Sequence, residues 1–205
     1  NGRYIAFDSI ANNLVTTDTN GFSDVFMRDI GDPVGTNPVT LLLSKNSFGT
    51  NSANGASVNP DISGDGQHVV FESSAQDIDG GLTGTIDIFL SNTIDPATLI
   101  TSSSSGAAND DSANPSISND GRYIAFESLA TNLDGGSIGK FDIFVSDEST
   151  TDDIKRISLS SDNNSNNARI SSDGSYVSFD SPFGFTLDDT INGLLDTYRA
   201  TNSTF

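Results

Sequence analysis

The chain has no cysteine and a single histidine in 205 residues. Without cysteine there is neither a disulfide framework nor a thiolate metal site. One imidazole, His68, provides no second ligand for a histidine metal centre, and no nucleophile is singled out to partner it. Serines are abundant but none lies in a Gly-x-Ser-x-Gly elbow. Basic residues are scarce, nine in all and scattered, against 28 acidic residues and a formal net charge of −19. Phosphate recognition needs clustered Lys and Arg, so nucleic acid is excluded as a partner and an anionic membrane surface is disfavoured. No run of 18 apolar residues occurs, so no segment is expected to insert in a membrane. Glutamate is rare too: Glu72, Glu127 and Glu148 are the only three. Aspartate favours turns and caps and offers hard oxygen ligands, so the acidity belongs to turn and loop chemistry.

What the sequence has is a repeat. Asn1-Gly2-Arg3-Tyr4-Ile5-Ala6-Phe7-Asp8-Ser9 returns as Asp65-Gly66-Gln67-His68-Val69-Val70-Phe71-Glu72-Ser73, as Asp120-Gly121-Arg122-Tyr123-Ile124-Ala125-Phe126-Glu127-Ser128, and as Asp173-Gly174-Ser175-Tyr176-Val177-Ser178-Phe179-Asp180-Ser181. A turn precedes a short strand in which Ile124 and Phe126 face one way and Tyr123 and Ala125 the other. Both faces are apolar, so the strand lies between two other layers.

Around it each unit of about fifty residues reads as four short strands, with no helical stretch. The first strand is 59–63, 114–118 or 167–171; the third begins at Asp24, Asp87, Asp142 or Asp196; the fourth covers 39–43, 98–101 or 154–159. A sandwich would give one-sided alternation and no whole-unit repeat. The expectation is an all-β chain, a β-propeller of four-stranded antiparallel blades, forming one segment over 1–205 with units of approximately 1–58, 59–113, 114–166 and 167–205. The first unit lacks its first strand and the last stops after its third, leaving about three and a half blades. Further blades of the same protein, or other protein chains, are expected to complete them. The chain also opens inside a repeat, so any export signal is expected to lie upstream or to have been removed.

The pattern Asn-Pro-x-Ile-Ser-x-Asp-Gly-Arg-Tyr-Ile-Ala-Phe-Glu-Ser, followed by Ala130-Thr131-Asn132-Leu133 and Asp142-Ile143-Phe144-Val145, resembles the TolB-type propeller repeat of exported bacterial and archaeal proteins. The Asp18-Thr19-Asn20-Gly21-Phe22-Ser23-Asp24 loop matches a common variant of it. The resemblance implies export to the periplasm, cell surface or medium, and a binding or assembly role. Unit two departs from it with Gln67 and His68, and unit four with Thr197-Tyr198-Arg199.

Gly-x-x-Asp precedes every third strand. In two units more oxygen ligands stand just upstream, giving candidate calcium sites at Asp18, Asn20 and Asp24, and at Asp189, Asn192 and Asp196. Units two and three offer only Asp79 and Asp134 upstream of Asp87 and Asp142, so their sites are weaker or absent. The plainer reading of each Asp is a turn cap that fixes entry into the third strand.

His68 stands where other units have Tyr and reads as packing. The Asp or Glu ending each second strand invites comparison with a glycosidase pair, but catalysis needs two differently tuned carboxyls, whereas a residue repeated in every blade makes the same structural bond in each. Phe183 and Phe185 break the repeat where other units have Ala11, Ala75 and Ala130, and are a candidate contact patch. Sequons at Asn163 and Asn202 are possible glycan sites in a host that glycosylates. The function expected is a non-catalytic extracellular or periplasmic protein-binding or structural scaffold, stabilised by calcium. The alternatives are the propeller portion of a secreted hydrolase or lyase acting on carbohydrate or peptide, and a subunit of a surface layer or extracellular filament.

Overall fold

Sixteen β-strands and no helix make up the described residues of the computed structural model. These are residues 2–31, 37–79, 84–92, 95–104, 106–150, 154–158, 164–181 and the backbone of 196–201. Blade I is β1 (Tyr4–Ser9), β2 (Asp24–Asp29) and β3 (Val39–Leu42). Blade II is β4 (Ser57–Ile62), β5 (Val69–Ser73), β6 (Asp87–Ser91) and β7 (Thr98–Leu99). A small hairpin, β8 (Ser102–Ser103) and β9 (Gly106–Ala107), leads to blade III, formed by β10 (Ser112–Ile117), β11 (Tyr123–Ser128), β12 (Asp142–Asp147) and β13 (Ile154–Arg156). Blade IV is β14 (Asn166–Ile170), β15 (Tyr176–Ser181) and β16 (Asp196–Thr201). Neighbouring strands within each blade are sequential and antiparallel. The blades lie side by side without closing into a ring, a partial propeller.

The two-faced second strand produces one core between each pair of blades. Phe71, Val69 and Phe89 of blade II pack against Val25, Met27 and Leu43 of blade I. Ile124, Phe126 and Phe144 of blade III meet Val70 and Ile88 of blade II. On the opposite face of blade III, Ala125, Ile143 and Val145 meet Val177 and Phe179 of blade IV. Within a blade the repeated phenylalanines stack across β-strand pairs, Phe7 on Phe26, Phe71 on Phe89 and Phe126 on Phe144, with ring centroids 5.6, 6.0 and 5.7 Å apart.

Two strands differ from the sequence expectation. The first strand of blades II to IV starts earlier and carries a bulge, with Asn59, Asn114 and Asn167 at φ of 52°, 52° and 58°. Asn tolerates this left-handed conformation better than most residues, and a bulge accommodates Pro60 and Pro115, which have no N–H for a ladder. The fourth strand is shorter than expected. Leu43, Ile100 and Ile157 still donate backbone N–H to the carbonyls of Val25, Ile88 and Ile143, at 2.9, 2.8 and 2.9 Å, but the chain then turns inward.

Candidate functional site: blade junctions and a buried acid pair

The inward turn delivers a hydroxyl to the repeated aspartate at the start of each third strand. Ser44, Thr101 and Ser158 donate to Oδ1 of Asp24, Asp87 and Asp142, at 2.6, 2.7 and 2.7 Å. The same hydroxyls accept the N–H of Val25, Ile88 and Ile143. Each Asp is thus a buried staple between the third and fourth strands of its own blade. In blades II and III the second carboxylate oxygen is engaged as well. Thr85 donates to Asp87 Oδ2 at 3.1 Å, and the Ser137 N–H to Asp142 Oδ2 at 2.6 Å, with the Arg156 guanidinium 3.6 Å away. The upstream acids of these units do other work: Asp79 accepts the N–H of Leu99 and Asp134 that of Arg156.

Blade I is different. Asp24 Oδ2 and both oxygens of Asp18 are buried and without a hydrogen-bond partner. Asp24 is fully buried and Asp18 only 5% exposed. Burial pushes the Asp24 carboxyl up to about 6; the Ser44 hydrogen bond opposes this, and the neighbouring Asp18 charge adds to the rise. Asn20 ties the loop down, its Nδ2 donating to Ala53 O at 2.7 Å and its Oδ1 accepting the Phe22 N–H at 2.7 Å. Ser52 donates its N–H to Thr17 O, and its Oγ accepts the Thr19 N–H, so the loop grips the connection from blade I to blade II. Among the described residues no cluster of three or more acids or histidines gathers. Asp196 begins β16, its backbone registered with Ser181, whereas Asp189 and Asn192 lie outside the described residues. So do Phe183, Phe185, Asn163 and Asn202.

The acids ending the second strands sit at the blade junctions. Glu72 Oε1 accepts the Asn59 side-chain amide of its own blade at 2.9 Å and the Asn114 backbone N–H of the next blade at 2.7 Å. Glu127 Oε1 repeats this with Asn114 Nδ2 at 3.1 Å and the Asn167 N–H at 2.7 Å. Asp180 accepts Asn167 Nδ2. Burial raises the Glu127 carboxyl above its ordinary range, while the Asn114 bond and the Asn167 N–H pull the other way. The sequence pointed to a structural role for these acids, but their left-handed Asn partners emerged only from the bulge geometry.

A second junction device uses the turn. Gly66, Gly121 and Gly174 have φ between 73° and 76°, and a Cβ there would collide with Tyr4, His68 and Tyr123 of the preceding blade. His68 is therefore a packing residue seated on a glycine. Arg3 and Arg122 lie over Tyr4 and Tyr123 at 5.0 and 4.6 Å from the ring centroids. Both also make paired bonds to the acid ending the third strand, Arg3 to Asp29 and Arg122 to Asp147.

The sequence matches no family model and no curated protein. Among solved structures it is similar to TolB from Acinetobacter baumannii, at 21% identity and a TM-score of 0.55, over 98% of this chain and 39% of that one. It is also similar to a putative TolB from Agrobacterium tumefaciens, at 20% identity and a TM-score of 0.56, over 98% of this chain and 62% of that one. A structure from work on two prolyl endopeptidases aligns at 14% identity with a TM-score of 0.55, over 89% of this chain and 25% of that one. The chain therefore spans less than two thirds of each of these proteins.

Proposed function

We propose, proceeding from the TolB-type β-propeller fold that the chain shares with these structures, that the protein is a non-catalytic binding and assembly scaffold acting outside the cytoplasm. Its ligand is a further β-blade, from the same polypeptide or another protein, docked on the outer face of blade I. One observation carries this reading. Val69, Ile124 and Val177 are at most 1% exposed at the three internal junctions, whereas Ile5, their counterpart in blade I, is 49% exposed. Gly2, the counterpart of the glycines that carry Tyr4, His68 and Tyr123, has nothing within 4 Å of an added Cβ. This face is built as a junction, and an apolar strand face of this kind gains about 1.5–3 kcal/mol for each large side chain it buries.

The chain's lack of cysteine gives a clean test. In an Ile5→Cys variant, maleimide labelling of the protein in its native setting is expected to be at least tenfold slower than labelling of the purified 205-residue chain. Equal labelling rates would remove the docking surface. The likeness to prolyl endopeptidases supports a variant of the same reading, a scaffold joined to a hydrolase whose chemistry lies elsewhere. Cleavage of a peptide or glycoside by this chain itself, lost in a folded Glu127→Gln variant, would overturn the non-catalytic assignment.

A further inference from the structure

Three aspartates occupy one structural position, and one of them is left incomplete. Asp24, Asp87 and Asp142 all take a hydroxyl on Oδ1. Asp87 and Asp142 also have donors on Oδ2, yet Asp24 has none there. Beside it, Asp18 presents two more oxygens, more than nine-tenths buried and likewise without a donor. A buried carboxylate oxygen with no partner is destabilising, and two neighbouring carboxylates repel each other as well. The arrangement lies in the loop of blade I that is tied to the connection to blade II.

We infer that Asp18 and Asp24 bind a hard divalent cation, calcium, between the loop of blade I and the connection to blade II. Three buried carboxylate oxygens without donors are the chemistry such a cation selects. Water and backbone carbonyls suit the rest of a six- to eight-oxygen shell. The chain has no thiolate, and its single imidazole, His68, is seated on Gly121 at another junction, so nothing favours a softer metal. Asn20 is a positioning residue: its amide ties the loop to Ala53 O and the Phe22 N–H and lies close enough to Asp24 to pull its carboxyl downward. Because Asn20 and Ser52 bind across the same connection, occupancy of the site stiffens the first blade junction. This inference is independent of whether a further blade docks on the outer face of blade I.

The competing explanation is a proton shared between the two acids. Calorimetric titration of chelator-treated protein with CaCl2 alone, near neutral pH, separates the two. Wild type is expected to bind with a stoichiometry near one, and its melting temperature to rise by roughly 5–10 °C at a hundredfold excess over Kd. Asp18→Asn, which removes charge from a residue without other bonds, is expected to lose binding at least hundredfold. Asp24→Asn, which keeps an acceptor for Ser44, is expected to do the same. Asp110→Asn, on the exposed surface, lowers net charge equally and is expected to bind as wild type does. No calcium heat in wild type, with Asp18→Asn more stable than wild type, would establish the shared proton instead. Unchanged binding in folded Asp18→Asn and Asp24→Asn would also overturn the site.

Discussion

Replacing Glu127 tests whether the repeated acids are structural hinges between blades. In Glu127→Ala the Asn167 N–H and the Asn114 side-chain amide lose their common acceptor, at 2.7 and 3.1 Å in the native protein. Hydrogen bonds to charged groups contribute about 1.5–3 kcal/mol each. Asn167 is exposed and Asn114 half-buried, so water replaces part of the loss, and a net destabilisation of about 2–4 kcal/mol is expected. Glu127→Gln is the sharper perturbation, because it can keep an oxygen where both donors point while removing the charge and turning the second oxygen into an N–H donor. Burial raises the Glu127 pKa, so ionisation near neutral pH opposes folding at this position, and a neutral amide escapes that penalty. Glu127→Gln is therefore expected to lie within about 1 kcal/mol of wild type. Urea unfolding measures both values, and amide exchange at Asn167 reports the junction directly even if the blades unfold separately. Exchange should quicken in the alanine variant and not in the glutamine variant. Equal losses in both variants, or a loss below about 0.5 kcal/mol in Glu127→Ala, would refute the reasoning.

Gly121→Ala is expected to cost about 2–4 kcal/mol in thermal melts, because its φ is 76° and the new methyl would lie 2.5 Å from His68 Nδ1. Gly135→Ala, at φ 67° with open space around it, should cost only the backbone strain of about 1 kcal/mol. If the two cost the same, the aromatic seat contributes nothing. The Arg122 guanidinium lowers the Asp147 carboxyl from 3.8 to about 2. Since the folded-state value is depressed, the stabilisation is complete above about pH 4 and lost as pH falls toward 2. With Arg122 44% exposed, the pair is discounted to about 1 kcal/mol. The stability gap between wild type and Arg122→Gln should narrow by that amount in acid unfolding, leaving the pH-independent part due to the Arg122–Tyr123 stacking; a gap that widens at low pH would contradict the ion pair.

The sequence by itself determined the blade. Ile124 and Phe126 against Tyr123 and Ala125 require a strand with two dry faces, and their recurrence with Val69 and Phe71 or Val177 and Phe179 requires stacked copies of one sheet. These are period-two and whole-unit patterns, both properties of the chain in one dimension. It also marked Asp18, Asn20 and Asp24 as an oxygen-rich turn, because they are neighbours in the chain. Only the tertiary structure decided which acids are satisfied. Asp24, Asp87 and Asp142 look alike in sequence, but their donors arrive from Ser44, Thr101 and Ser158 across a turn, and from Thr85 or Ser137 through local loop shape. The Asn114 N–H that Glu72 accepts lies 42 residues away, and is offered only because the bulge turns it out of the ladder. Periodicity fixes which face of a strand is dry. Whether a buried oxygen has a donor depends on contacts between segments, which follow no period.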